Sequence, residues 1–186
     1  FLLPAKMKLR YLILILICIT SASCVKQKLE TMYNSQESKI DQYIEKSRVV
    51  GEDTLRVVYN GGVSRLVTKE GEGEELSADG NIAFYYAGYV FSGSISNTNL
   101  FITNHAETAT QAGWSLSEEE AKVLTINMKE YELVPGLRSG LIGVRSGEEC
   151  QILFTGKYGF GNKAFGTIPA NSPLVYRIWV ESISND

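Results

Sequence analysis

The sequence predicts an α+β fold, an antiparallel sheet of about five strands curled over one short helix and preceded by a helical arm. Three observations carry this. Apolar residues between Leu29 and Ile44 recur at spacings of 3, 4 and 7, the repeat of one helix face. From residue 54 onward the period falls to two, as in half-buried strands. Glycine turns such as Asn60-Gly61-Gly62 separate the alternating runs.

The first residues read as an address. Lys6, Lys8 and Arg10 precede an apolar run over residues 11–19, and Ser21, Ala22 and Ser23 lead into Cys24. This is the charged, apolar, small-residue order of a bacterial secretory signal over residues 1–23, with Met7 the more natural start than Phe1. The apolar run is shorter than the roughly 20 residues that span a bilayer. Cys24 after three small residues resembles a lipobox, with Ser21 where leucine is usual and Cys18 as the weaker alternative. A lipid-anchored linker and arm over residues 24–53 follow, facing the periplasm. The stripe of Leu29, Met32, Tyr33, Ile40, Tyr43 and Ile44 could cover its own domain, a second copy or the membrane; its own domain is the simplest partner. Ser38 and Asp41 offer a capping box for the second half of this helix.

The folded domain is expected over residues 54–186. Residues 54–59 and 63–69 read as a hairpin, 70–75 as a charged loop and 81–90 as a strand with Ile82, Phe84, Tyr86 and Val90 on one face. Tyr85 and Tyr89 point to the other face, toward the surface or the arm. Ser117 with Glu120 predicts a capping box opening a short helix near Ala121, followed by a strand over residues 122–128. Residues 133–144 are apolar but carry Gly136, Gly140 and Gly143, so helix propensity is weak there. Residues 150–155 and 174–183 complete the strands.

Composition excludes several functions. Removing residues 1–23 takes three basic and no acidic residues, leaving a net charge of −6 and no concentrated basic surface for nucleic acid. His105 is the only histidine and sits in a polar stretch as an ordinary surface residue, so neither a Ser-His-Asp engine nor a zinc site is expected. Cys150, in an apolar run, reads as a buried free thiol.

Four signatures remain, in order: Phe84-Tyr85-Tyr86-Ala87-Gly88, Leu133-Val134-Pro135-Gly136-Leu137, Tyr158-Gly159-Phe160-Gly161, and Ile168-Pro169 running into Leu174-Val175-Tyr176. Any one of these aromatics alone reads as a core residue. Together they resemble the FKBP-type peptidyl-prolyl cis-trans isomerases over residues 63–183. The resemblance implies an FKBP-like domain with no cofactor and no metal. Its partners would be proline-containing segments of unfolded or exported proteins. It also implies a catalytic set of Tyr86, Phe101, Val134, Phe160, Ile168 and Tyr176, with Leu124, Leu133 and Leu137 binding substrate. Three positions depart from the family pattern: Ile102 stands for the usual Asp, Phe160 for a hydrogen-bonding Tyr and Leu137 for the Trp floor. Residues 103–123 form an insertion carrying Trp114. The expected function is a weakened prolyl isomerase of the cell envelope, or a peptide-binding or chaperone lipoprotein that has lost turnover.

Overall fold

A computed structural model describes the backbone of residues 5–50 and 55–186 and the side chains of 25–48 and 55–186. The Cys24 side chain and the termini of the expected signal and linker therefore lie outside the described residues. Helix α1 runs over Ala5–Val50. Residues 1–35 form one compact unit and residues 36–186 another. In the first, Leu29, Met32 and Tyr33 are half-buried and most other described residues are exposed. Ser38 lies inside the continuous helix, its hydroxyl accepting from Gln42 Nε2, so the expected second helix start is absent. No helix among the described residues is long and apolar enough to cross a membrane.

The second unit is built on one antiparallel sheet of seven strands: β1 Arg56–Asn60, β2 Val63–Lys69, β3 Asn81–Val90, β4 Leu100–Thr103, β5 Leu124–Asn127, β6 Glu149–Phe154 and β7 Leu174–Ser184. The order is β1-β2-β6-β7-β3-β4, with β5 also pairing to β3. Asn60 pairs with Val63, leaving Gly61 and Gly62, both at positive φ, as a two-residue turn. The α+β class and antiparallel sheet are as expected. The count is higher than about five because all six alternating runs form strands and β4, only four residues long and without a period, adds a seventh.

β4 and β5 share one edge of β3. β4 pairs with Ala87, Gly88 and Tyr89, while β5 pairs with residues 81–84. The insertion leaves the sheet between them and contains helix α2, Ala106–Gln111. No helix forms near Ala121. Ser117 and Glu120 do make the reciprocal bonds of a capping box, but they close a turn. The capping chemistry is local, and β5 begins too soon for a helix to grow.

Helix α3, Pro135–Leu141, crosses the inner face of the sheet. Pro135 starts it, where a missing N–H costs nothing. Its weak propensity has a packing cause: a Cβ on Gly136 would collide with the Phe154 ring and one on Gly140 with the Ile152 side chain. Glycine thus brings the helix backbone onto β6. Between them lies the main core of Phe84, Met128, Leu141, Ile152, Phe154 and Leu174. On the outer face, Ile40 and Ile44 of α1 are buried with Leu66, Tyr89, Phe91 and Leu153. Tyr89 therefore packs against the arm. Cys150 is a buried free cysteine, and burial pushes its thiol pKa up.

Candidate functional site

The site begins with an irregularity in β4. Gly88 pairs with Ile102 and Tyr89 with Leu100, so Phe101 is an extra, bulged residue. A bulge re-aims a side chain, and here it sends Phe101 to the inner face while Leu100 remains in the outer core. The ring then lies over the backbone of Gly88. A Cβ there would be 2.8 Å from Phe101 Cζ and 2.9 Å from Tyr176 Cε1. This is why the first signature ends in glycine.

Phe101 meets Tyr176 edge-on, with centroids 5.8 Å apart at 87°. Tyr86 approaches Phe84 at 5.9 Å. These rings, with the start of α3 and the loop after β6, enclose a cavity of about 440 Å³. All nine residues expected from the sequence line it: Tyr86, Phe101, Leu124, Leu133, Val134, Leu137, Phe160, Ile168 and Tyr176. Val134 is the N-cap of α3, Leu133 precedes it and Leu137 forms a buried wall.

Reading the sequence missed Phe84, Tyr131, Glu132, Phe165 and Thr167, which also line the cavity. Phe84 was within reach, since it alternates with Tyr86 on one strand face. Phe165 had no periodic signal. It stacks on Phe160 at 4.8 Å and 7°, at the tip of a backbone hairpin in which Phe165 and Ile168 exchange hydrogen bonds. Trp114 lies outside this cavity, in a neighbouring groove, and does not replace the floor at Leu137.

Three polar anchors hold the walls. Asn104 is buried where pairing along the β3 edge is interrupted between β4 and β5. Its Oδ1 accepts from the Tyr86 N–H at 2.7 Å, and its Nδ2 donates to the Lys122 carbonyl at 2.9 Å. Arg138 donates to the carbonyls of Met128 and Tyr131, holding the segment that leads into Leu133. Gln36 accepts from the Gly156 N–H at 2.9 Å and donates to the Asn171 carbonyl at 2.7 Å. Gly156 and Asn171 bracket the loop that supplies Phe160, Phe165 and Ile168.

His105 departs from the expected plain surface role. Its Nδ1 accepts from the Thr108 N–H as the cap of α2, and its ring stacks on Trp179 at 4.0 Å and 6°.

The cavity lining is almost entirely apolar. Burial raises the phenol pKa values of Tyr86 and Tyr176, so both keep their protons at neutral pH and can donate. No metal-holding group of three or more His, Cys, Asp or Glu occurs among the described residues. A largely apolar hollow with the phenols of Tyr86, Tyr131 and Tyr176 on it can bind a small ring and an adjoining apolar residue; its one carboxylate is Glu132.

A curled antiparallel sheet clasping a short helix, with such a hollow on its inner face, defines a peptide-binding class of protein. The model of the FKBP-type peptidyl-prolyl cis-trans isomerase family matches residues 73–181, and the chain belongs to that family. FK506-binding protein 1 of Aspergillus oryzae is 25% identical over 117 residues, covering 63% of this chain and 94% of that protein. FkpA from Escherichia coli superimposes with a TM-score of 0.54 at 18% identity, covering 98% of this chain and 74% of that one. A peptidyl-prolyl cis-trans isomerase of Pseudomonas syringae gives 0.55 at 15% identity, covering 84% and 96%. These structural likenesses speak to the fold. Family membership supports peptidyl-prolyl isomerase function in general, acting on proline-containing peptides.

Proposed function

We propose that this chain is a slowed peptidyl-prolyl cis-trans isomerase of the bacterial cell envelope, tethered by lipid at Cys24 and serving unfolded or exported proteins. The observation that supports it most is the convergence of Tyr86, Phe101, Phe160, Ile168 and Tyr176 on one apolar cavity. Rotation about a peptide bond faces a barrier of roughly 18–20 kcal/mol because the twisted amide loses resonance. The planar amide carries more charge separation than the twisted one. A water-poor wall therefore disfavours the ground state more than the transition state.

Two of the three departures from the family pattern remove a polar aid, and the third, Leu137, removes aromatic surface. Ile102 lines the cavity beside Tyr86 where the family usually carries an acid, and Phe160 cannot donate. A missing neutral hydrogen bond is typically about 0.5–1.5 kcal/mol, up to roughly tenfold in rate. The same two residues favour the second reading, a binding module or chaperone without turnover.

The test is the cis-to-trans rate of a short Leu-Pro peptide with and without the full chain. Acceleration that rises further in Ile102→Asp/Phe160→Tyr is expected. Retained peptide binding with no acceleration at high protein concentration leaves only the binding module. For the tether, fatty-acid labelling should vanish in Cys24→Ala; labelling that persists there removes the anchor from this proposal.

A further inference from the structure

A second groove, of about 800 Å³, adjoins the prolyl cavity and shares Tyr86, Phe101, Ile102 and Leu124 with it as a common wall. Its far side is the insertion, through Trp114, Leu116 and Val123. We propose that this groove is a second subsite, taking an apolar side chain of the same client polypeptide a few residues from its proline. The inference rests on the prolyl reading of the first cavity.

Three observations carry it. The exposed large hydrophobics among the described residues are Val25, Tyr59, Ile102, Trp114, Val123, Tyr131 and Phe165. Five of these seven line one or other of the two cavities. Scattered apolar residues on a surface need no explanation, but a contiguous concentration marks a binding surface. The second observation is that the backbone of the insertion is tied down by local bonds. His105 caps α2, the Trp114 N–H donates to the Ala109 carbonyl at 2.8 Å, and Ser117 and Glu120 close the next turn. An indole left in solvent on a pre-ordered support costs little further entropy on binding.

The third is charge. Lys122 pairs with Glu119, and Glu120 is tied to Ser117, so the charges at the groove are satisfied within the insertion. With Glu118 alongside, the rim keeps an acidic excess. The occupant is therefore an aromatic or long aliphatic side chain, with neutral or basic neighbours preferred over acidic ones. The shared wall lets a single continuous client strand fill both, because Phe101 lines each.

The experiment compares three peptides on the full chain by calorimetry: a Leu-Pro tetrapeptide, the same core with Phe and Leu flanks, and the same core with Ser flanks. The apolar flanks should tighten binding by about tenfold over the Ser flanks, and Trp114→Ala and Val123→Ser should each bring that ratio down severalfold. Thermal melting confirms that both variants fold. A ratio near one in the unaltered chain, or one that survives both substitutions, overturns the subsite while leaving the tetrapeptide result standing. Failure of the unaltered chain to bind any of the three overturns the prolyl reading as well. Acidic flanks binding better than neutral ones would also refute the proposed rim.

Discussion

Gln36 ties the last part of the arm helix to the cavity, although it touches no part of the cavity itself. Its amide satisfies the Gly156 N–H and the Asn171 carbonyl, the two ends of the loop bearing Phe160, Phe165 and Ile168. Replacing it with Met keeps the volume and removes both bonds. A buried donor left without a partner costs about 1–3 kcal/mol, and Gly156 is buried; the half-exposed Asn171 carbonyl adds less. A loss of about 2 kcal/mol corresponds to roughly thirtyfold in the ratio of ordered to open loop. The measurements are amide hydrogen exchange at Gly156 and Gly161 and either kcat/KM or affinity toward a Leu-Pro peptide. Gln36→Met should lose protection at both amides and about tenfold in peptide affinity or rate, with Gln36→Glu in between because it keeps the acceptor. Unchanged protection of Gly156 in Gln36→Met would refute the reasoning, since Gln36 Oε1 is the acceptor of that N–H.

Gly88→Ala places a methyl against Phe101 and Tyr176, and overpacking of this kind costs about 1–3 kcal/mol. Its melting temperature should fall by several degrees and Leu-Pro peptide affinity severalfold, read by calorimetry. Asn104→Ala strands the Tyr86 N–H and the Lys122 carbonyl at the gap in the β3 edge, for about 2–4 kcal/mol in unfolding by denaturant. His105 gives a pH signature. Burial and the nearby Arg177 lower its pKa, and Glu107 and Glu149 only partly oppose them, so the folded state binds its proton less readily than the unfolded chain. The stability it lends is therefore complete above about pH 6.5 and is lost as pH falls through that value toward the lower folded pKa. His105→Gln should flatten the melting temperature between pH 7 and 5, and an unchanged slope would contradict the cap and stack.

The cavity was legible because its chemistry is carried by residue types that sit at fixed offsets. Glycine at 88 and the Ile168-Pro169 pair cannot be exchanged without moving rings, so the sequence records the site even where its identities have drifted. The insertion was not legible. α2 is Ala-Glu-Thr-Ala-Thr-Gln, without an apolar stripe, and its stability comes from a histidine cap and from a Trp179 that lies 74 positions away in sequence. Local chemistry can also be read correctly and placed wrongly. The bonds between Ser117 and Glu120 exist, but tertiary pairing of β5 with β3 decides that a turn and not a helix follows. α3 shows the reverse case, a helix of poor propensity kept because Gly136 and Gly140 let it reach β6.

The three departures from the family pattern act on different kinetic constants, and the geometry says which. The wall's contacts with the prolyl ring and its apolar neighbour are the same in the planar and the twisted amide, so Ile102, Leu137 and the Phe160–Phe165 stack contribute mainly to binding that is uniform along the reaction, whereas exclusion of water from the amide is a property of the whole hollow. A donor that follows the rotating carbonyl acts on the transition state alone, and the cavity's phenol donors are Tyr86 and Tyr176 in its wall and the more exposed Tyr131. On the proposed reading, the chain should therefore hold apolar X-Pro peptides with an ordinary KM and turn them over with a reduced kcat. Returning Tyr to position 160 supplies a donor but keeps a ring to stack on Phe165. That single change should move kcat by up to about tenfold with KM nearly still. Ile102→Asp, by contrast, introduces a charge into the wall common to both cavities. It should raise KM for apolar-flanked peptides even where it speeds the short one, and a uniform effect on both peptides would show that position 102 does not face the two sites together.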